Sequence, residues 1–233
     1  MKRRDILIFG GGHLGRQIVH HIRNYCEANI HGFIDDTKKV GEPILNELCC
    51  VGGLDEVHTQ PEFAPDRVSI VFAIGYSDML ARKHALERVT NAGYSLFRVI
   101  HPRSIIEPGA QVGEGVIVLG GAILDQNVSI GDACFVDIGV RIGEDSIVGN
   151  NNYFSSGAAI GGGVTIGHSN FFGMDITITN GIRVGSNVFV NAKTLVPRDI
   201  RDNIKIVEMH KVREIAQQNT LSLQHQSEDD ENK

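Results

Sequence analysis

The sequence lacks the features that mark membrane-spanning, secreted or nucleic-acid-binding proteins. No apolar run in its 233 residues reaches the roughly 18 residues that a membrane-spanning helix requires. The formal net charge is −6, which argues against a general nucleic-acid-binding surface. The basic start at residues 1–4 is followed by neither an h-region nor a cleavage signal, so we expect a cytoplasmic protein.

Cysteine is scarce, and its placement excludes further classes of site. The four cysteines are Cys26, Cys49, Cys50 and Cys134, and their spacing is unlike that of a zinc site. The vicinal pair makes a poor structural disulfide, which predicts reduced thiols. Neither a zinc-like His/Cys/Asp cluster nor a Ser-His-Asp order is present, so the sequence predicts no metal site and no serine-type triad.

What the sequence does contain is a strict six-residue repeat. All seventeen positions reached by stepping six residues from Ile100 to Val196 are apolar. With 42% hydrophobic residues, chance would produce this in only about one register in a million. The period is therefore structural. The intervening members are Ile106, Val112, Val118, Leu124, Ile130, Val136, Ile142, Val148, Phe154, Ile160, Ile166, Phe172, Ile178, Val184 and Val190.

The repeat indicates a solenoid in which each hexapeptide is one short strand plus one corner. Stacked coils would bury the repeated apolar side chains. An antiparallel sandwich is the alternative, but its variable hairpin turns would break the register. Glycine often follows the repeated apolar residue, and we interpret it as a tight corner with positive φ. These glycines are Gly113, Gly131, Gly143, Gly149, Gly161, Gly167, Gly173 and Gly185.

The first hundred residues follow another pattern, that of a nucleotide-binding α/β unit. An apolar run at residues 5–9 leads into the turn GGGH, and residues 14–25 have the apolar spacing of a helix. The Gly10-x-Gly12-x-x-Gly15 spacing matches the dinucleotide fingerprint, in which backbone N–H groups at a helix N-terminus receive a phosphate. The alternative is a glycine turn used only for close helix–strand packing.

Two further predicted strands end in residues that would complete such a site. The strand at residues 30–34 ends at Asp35 and Asp36, roughly 20 residues past the glycines, where an acid can hold a ribose hydroxyl. The strand at residues 68–74 ends at Gly75. We interpret the remaining segments as connections at residues 40–43 and 51–54, a helix at 77–92 and a last strand at 96–100.

These patterns divide the chain into four parts. We predict an α/β, Rossmann-like domain at residues 1–99, an all-β solenoid at 100–200, a C-terminal cap at 201–216 and a disordered acidic tail at 217–233. The tail consists mostly of Gln, Ser, Asp, Glu and Asn and has almost nothing to bury.

The order of short motifs across both domains resembles the NeuD/PglD group of hexapeptide-repeat sugar acyltransferases. The motifs are GGGH, GFIDD at residues 32–36, AIGYSD, AGY and VIHPRSII at residues 99–106. The resemblance implies a nucleotide-sugar-binding N-terminal domain and a left-handed parallel β-helix, with three hexapeptides per coil, that binds acetyl-CoA. It also implies a homotrimer with active sites between subunits. Carried over by position, the nucleotide-binding residues are Gly10, Gly11, Gly12, His13, Asp35, Asp36 and Gly75.

The chain departs from the family at the catalytic segment. In the resembled group the base is a His followed by an acidic residue; here Glu144 stands at the His position and Asp145 follows it. A second family His corresponds to Tyr153, and His168 is predicted to be a coil-corner residue. A carboxylate is a weak base for a sugar hydroxyl but can accept a proton from an attacking amine, which favours N-acetylation. The alternative is that Glu144 and Asp145 form only a solvated corner.

The closing segment departs as well, because the family's Gly-Asn-Pro-Ala turn after the last coil is absent. By resemblance, the CoA-binding residues are Gly161, Gly162, Gly163, Gly173, Lys193 and Arg198, the two cations facing phosphate. Ordinary corners and surface charges are the alternative for these six residues.

Together these observations predict an acetyl-CoA-dependent N-acetyltransferase that acts on a nucleotide-linked amino sugar in surface glycan or polysaccharide biosynthesis. Acetyl-CoA is its cosubstrate, and Glu144, Asp145 and Tyr153 are its predicted catalytic residues. A sugar O-acetyltransferase is one alternative. A homologue that has lost transfer and serves as a sugar-nucleotide-binding scaffold or regulator is another. A nicotinamide-dependent oxidoreductase would rest on the glycine spacing alone.

Overall fold

The N-terminal part of the chain is a five-stranded sheet with helices on both faces. The computed structural model describes residues 3–207. The elements in chain order are β1 (Arg4–Phe9), α1 (His13–Tyr25), β2 (Ala28–Ile34), β3 (Pro43–Leu45), β4 (Leu48–Gly52), α2 (Leu54–Val57), a 3₁₀ turn (Pro61–Phe63), β5 (Ser69–Phe72) and α3 (Met79–Asn91). The strand order is β3-β4-β2-β1-β5, and only the β3–β4 pair is antiparallel. Helix α1 packs on one face, and α2 and α3 pack on the other.

Three segments differ from their predicted structure. Residues 40–43 and 51–54, predicted as connections, overlap the β3–β4 hairpin and α2. Val51 is the only β-branched residue of β4, so the strand propensity of β4 is weak. Pairing with β2 decides the conformation of this segment. The predicted strand at 96–100 is divided: Leu96 makes a single bridge to the sheet, and the last two residues begin the solenoid.

The solenoid is a parallel β-helix of two-residue strands on three faces. Face 1 consists of β6 (Val99–Ile100), β9 (Ile117–Val118), β12 (Phe135–Val136), β15 (Tyr153–Phe154), β18 (Phe171–Phe172), β21 (Phe189–Val190) and β23 (Lys205–Ile206). Face 2 consists of β7 (Ile105–Ile106), β10 (Ile123–Leu124), β13 (Arg141–Ile142), β16 (Ala159–Ile160), β19 (Thr177–Ile178) and β22 (Leu195–Val196). Face 3 consists of β8 (Gln111–Val112), β11 (Ser129–Ile130), β14 (Ile147–Val148), β17 (Thr165–Ile166) and β20 (Arg183–Val184).

The hexad residues fill the interior of this β-helix, as the repeat predicts. From Val118 to Val196 every one of them is buried, and the Phe154 and Phe172 rings stack with 4.9 Å between centroids. Ile100, Ile106 and Val112 are only half-buried, because they belong to the first coil and have neighbours on one side alone. The solenoid prediction is therefore confirmed.

The glycines that follow the hexad residues have a different cause from the predicted one. All eight are described, and none has a positive φ; positive φ occurs two residues later, as at Asp145 and Gly163. A Cβ atom on Gly149 would lie 2.7 Å from the carbonyl oxygen of Gly167 in the next coil. The predicted positive φ is therefore wrong. These positions require glycine because successive coils approach closely.

The N-terminal domain covers face 1 of the β-helix. Outward side chains of face 1, including Phe135, Tyr153 and Phe171, join the apolar cluster of α1 and β1. The corner between faces 2 and 3 (corner 2–3) therefore lies on the opposite side of the triangular cross-section. The other two are corner 1–2 and corner 3–1.

The last described strand lies beyond the predicted boundary of the solenoid. Strand β23 pairs with β21 within the segment predicted as the C-terminal cap. The rest of that predicted cap, from residue 208, and the predicted tail at 217–233 lie outside the described residues. Within residues 3–207, no helix has the length and apolar character needed to cross a membrane.

Candidate functional site

The glycine turn lies where the carboxyl ends of β1 and β5 meet. Strand order reverses at β1, with β2 on one side and β5 on the other, and α/β sheets bind ligands at such a switch point. Helix α1 begins at the exposed His13, with Gly12 as its N-cap and no side chain that caps the helix. The first-turn N–H groups and the helix dipole therefore favour an anion here.

The glycines at this edge differ in what surrounds them. Gly10 has φ +114°, and a Cβ there would lie 2.6 Å from the Ala73 carbonyl oxygen. A Cβ on Gly15 would lie 1.9 Å from the Gly10 carbonyl oxygen. Around Gly12 and Gly75 a Cβ would meet no atom within 4 Å. Gly10 and Gly15 are thus required where backbone segments pack closely, whereas Gly12 and Gly75 border open space between β1 and β5.

Gly11 faces side chains on the β2 side of the turn. Its N–H donates to Asp35 Oδ2 at 2.9 Å. A Cβ on Gly11 would lie 2.7 Å from Ile44 Cδ1 and 3.4 Å from Lys38 Cδ. Asp35 therefore holds the backbone of the glycine turn on the β2 side, whereas the β5 side of the turn borders open space.

The two predicted acids have different surroundings. Burial opposes ionisation of Asp35, but hydrogen bonds from Thr37 and Gly11 outweigh it and hold its pKa below the usual range. Burial likewise opposes ionisation of Asp36, whose pKa is lowered by Arg88 and by the Leu54 N–H. The Asp36 carboxylate thus joins β2 to α2 and α3, and Asp35 is the acid that touches the glycine turn.

Two cations beside the turn were missed by the sequence analysis. Lys38 lies against Gly11, and its Nζ contacts Glu42 Oε1 at 2.6 Å. Arg16, in the first two turns of α1, is close enough to Lys38 to lower its pKa in part, although the hydrogen bond to Glu42 dominates and raises it. Both lie close in sequence to the glycines or the acids, and this proximity could have identified them. Arg16 adds positive charge where the helix already favours an anion, whereas Glu42 balances the charge of Lys38.

Arg82 joins the β5 side of this site to the β-helix. It is fully buried on α3; its Nε donates to the Ile74 carbonyl oxygen at 3.0 Å, and its Nη2 donates to that of Ala133 at 2.9 Å. Its Nη1 donates to Asn151 Oδ1, and the guanidinium lies 4.9 Å from the centre of the Phe72 ring. Burial lowers the pKa of Arg82 to about 10, so it remains charged at neutral pH. The sequence analysis did not identify Arg82.

Tyr153, a predicted catalytic residue, lies on face 1 under the N-terminal domain. Its ring stacks on Phe135 with 4.5 Å between centroids and contacts Tyr76 at 4.9 Å. Burial raises the pKa of the Tyr153 phenol well above its usual range, and the charge of Asp137 raises it further. The phenol is therefore protonated at neutral pH and can donate a hydrogen bond but cannot act as a base.

Glu144 and Asp145 lie at corner 2–3, away from Tyr153. Asp145 has φ +56°, and its Oδ1 accepts a hydrogen bond from Asn127 Nδ2 at 3.0 Å, so it forms the corner itself. The exposed Glu144 carboxylate lies against Gly162 of the next coil, where any Cβ would overlap it. No hydrogen bond to this carboxylate comes from the part of the chain that the structure describes. It is therefore free to meet a ligand.

The predicted CoA-binding residues are divided between two corners. Gly161, Gly162, Gly163 and Arg198 lie at corner 2–3 with Glu144, whereas Gly173 and Lys193 lie at corner 1–2. A Cβ on Gly163 would meet no atom within 4 Å, so this corner offers open space. On face 2, between the two corners, an open groove of 640 Å³ is lined by Arg141, Ala159, Gly161, Thr177 and Asn180 among others.

His168 is a corner residue, as predicted. Its Nδ1 accepts a hydrogen bond from the Asn150 N–H at 2.9 Å, and its own N–H donates to Ser186 Oγ at 2.9 Å. These bonds join successive coils at corner 3–1. Among residues 3–207 no group of three His, Cys, Asp or Glu side chains is arranged to hold a metal ion.

Solved structures with a similar fold include acetyltransferases. The acetyltransferase domain of PglB from Neisseria gonorrhoeae is 22% identical, with a TM-score of 0.76 over 87% of this chain and 96% of that one. PerB from Caulobacter crescentus, in complex with CoA and GDP-perosamine, is 26% identical, with a TM-score of 0.75 over 86% and 92%. WeeI from Acinetobacter baumannii is 20% identical, with a TM-score of 0.76 over 88% and 97%.

No family sequence model matches the chain, and neither does any curated protein, so the likeness is one of structure. It extends over both the N-terminal sheet and the β-helix of this chain. In the order of its motifs and in its fold, the chain resembles the hexapeptide-repeat, left-handed β-helix sugar acyltransferases.

Proposed function

We propose that the chain is an acetyl-CoA-dependent N-acetyltransferase that acts on a nucleotide-linked amino sugar, in the biosynthesis of a surface glycan. The observation that carries this proposal is the likeness to PerB along both domains, since PerB was solved with CoA and GDP-perosamine. The uncapped α1 N-terminus and Arg16 in its first turn suit the diphosphate of such a substrate.

Acetyl-CoA, when bound, supplies an acetyl group activated as a thioester. The open corner at Gly163 and the groove on face 2 suit its extended pantetheine arm, and Arg141 and Arg198 suit its phosphates. In the proposed reaction the sugar amine bonds to the carbonyl carbon, the C–S bond breaks and the thiolate of CoA leaves. Glu144 accepts the proton that the amine loses.

Two subunits are needed to bring these groups together. Glu144 lies at corner 2–3, whereas the glycine turn and Tyr153 lie on the side of face 1. A nucleotide sugar held by one N-terminal domain can therefore meet Glu144 only from a neighbouring chain. This supports the expected homotrimer with active sites between subunits.

The test is calorimetric titration with acetyl-CoA and with UDP, GDP and dTDP, followed by amino sugars on the nucleotide that binds. We expect both acetyl-CoA and one nucleotide to bind at micromolar concentration. Binding of a nucleotide without acetyl-CoA would contradict acetyl transfer and favour a sugar-nucleotide-binding scaffold.

Glu144→Gln is expected to lower kcat by about 100-fold or more, the usual contribution of a general base. The melting temperature should not change, because the carboxylate is exposed and makes no hydrogen bond within residues 3–207. Glu107→Gln is the matched control, an exposed acid at the same corner two coils away. Equal turnover of parent and Glu144→Gln would show that Glu144 is not the base.

Gly162→Ala tests the same carboxylate without removing it. The added methyl would overlap the Glu144 carboxylate and displace this flexible side chain from its position. Lower kcat with unchanged stability is expected, and combining Gly162→Ala with Glu144→Gln should cost little more than Glu144→Gln alone. Additive losses would indicate that the glycine acts independently of the carboxylate.

A further inference from the structure

Tyr76 is a half-exposed aromatic side chain held rigidly beside the glycine turn. It follows Gly75 at the carboxyl end of β5, and 48% of its surface is exposed. One ring face stacks on Phe171, with 4.5 Å between centroids and 25° between planes, and the ring also contacts Tyr153 at 4.9 Å. A rigid aromatic ring loses little conformational entropy when a ligand packs against it.

The chain on both sides of Tyr76 is fixed as well. On one side, buried Arg82 holds the Ile74 carbonyl oxygen at 3.0 Å. On the other, Asp78 Oδ1 caps α3 by accepting the Leu80 and Ala81 N–H groups, each at 2.9 Å. Such support preorganises the ring for binding.

A pocket of 260 Å³ lies between this segment and the β-helix. Tyr76 and Phe171 provide aromatic surface, and Ser77, Asp78 and Asn187 provide hydroxyl, carboxylate and amide groups. A pyranose ring combines an apolar C–H face with hydroxyl and amino groups, so it matches both kinds of surface.

Tyr76 and Asp35 lie on opposite sides of the glycine turn, so they would contact different parts of a nucleotide sugar. An acid after β2, here Asp35, is where such folds hold the ribose, so the nucleoside lies on the β2 side of the glycine turn. Tyr76 follows β5, on the other side of β1, and faces the β-helix. With the nucleoside on the β2 side, the far end of a diphosphate, which carries the sugar, would point to this side.

We infer that Tyr76 is a specificity-determining residue that packs against the sugar ring of the nucleotide-linked substrate. This inference rests on the proposed function and adds the part of the site that contacts the acceptor sugar. It predicts that Tyr76 contributes to the affinity for the sugar and not to the affinity for the nucleotide.

The test is calorimetric titration of Tyr76→Ala with GDP and GDP-perosamine, or with the UDP or dTDP pair if the parent chain binds that base. We expect the Kd of the nucleotide sugar to rise about tenfold, equivalent to about 1.4 kcal/mol. The Kd of the free nucleotide should stay within about twofold. Tyr76→Phe keeps the ring and should retain the affinity of the parent.

Tyr25→Ala is the matched control, because Tyr25 is 43% exposed and packs on His101 at the first coil. It should change neither affinity. Unchanged sugar affinity in Tyr76→Ala, or equal losses for nucleotide and nucleotide sugar, would overturn this inference alone. A parent chain that binds no nucleotide at all would overturn the proposed function, and the inference with it.

Discussion

Arg82→Met is expected to lower the free energy of unfolding by about 3 kcal/mol, because three acceptors, two of them buried, each lose a hydrogen bond. The acceptors are the carbonyl oxygens of Ile74 and Ala133 and the side-chain oxygen of Asn151. Methionine fills much of the volume but donates nothing. Urea unfolding measures the change, and the melting temperature should fall by roughly 10 °C for a chain of this size.

The neighbouring Lys83 offers a matched control for this substitution. It is exposed and forms an ion pair with Glu87 at 3.7 Å. Lys83→Met should change stability by less than about 0.5 kcal/mol. Equal stability of Arg82→Met and the parent would show that the two domains are held together without this residue.

Gly15→Ala should destabilise the N-terminal domain by about 3 kcal/mol and abolish nucleotide binding. The new Cβ would lie 1.9 Å from the Gly10 carbonyl oxygen, so two backbone segments must move apart. Gly12→Ala should leave the fold within about 1 kcal/mol of the parent, because a Cβ there meets no atom within 4 Å. Its methyl would, however, occupy the space from which a phosphate approaches α1.

Urea unfolding and nucleotide calorimetry on both variants distinguish these roles. We expect Gly15→Ala to lose stability and binding together, and Gly12→Ala to lose about tenfold or more in nucleotide affinity with its stability preserved. Parent-like nucleotide binding by Gly12→Ala would show that no phosphate approaches the open side of the turn. Parent-like stability of Gly15→Ala would contradict the close packing of Gly15 on Gly10.

The division between predictable and unpredictable features follows from how local each one is. The period of six and the strand–glycine–helix order are properties of neighbouring residues, so the solenoid and the α/β unit were identified correctly from sequence. The β3–β4 hairpin was missed because its strand propensity is weak and its partner, β2, is distant in sequence. Arg82 was missed because its acceptors lie up to 69 residues away.

The sequence by itself determined the β-helix, its buried hexad residues and the glycine turn. Only the tertiary structure decided that Glu144 and Tyr153 lie on opposite sides of the β-helix. It also showed that the glycines after the hexad residues allow successive coils to approach closely. It also distinguished Asp35, which touches the turn, from Asp36, which pairs with Arg88. A repeat specifies which side chains point inward, because that depends on alternation along the strand. Which outward side chains meet depends on how the N-terminal sheet packs on face 1, and no local pattern encodes that contact.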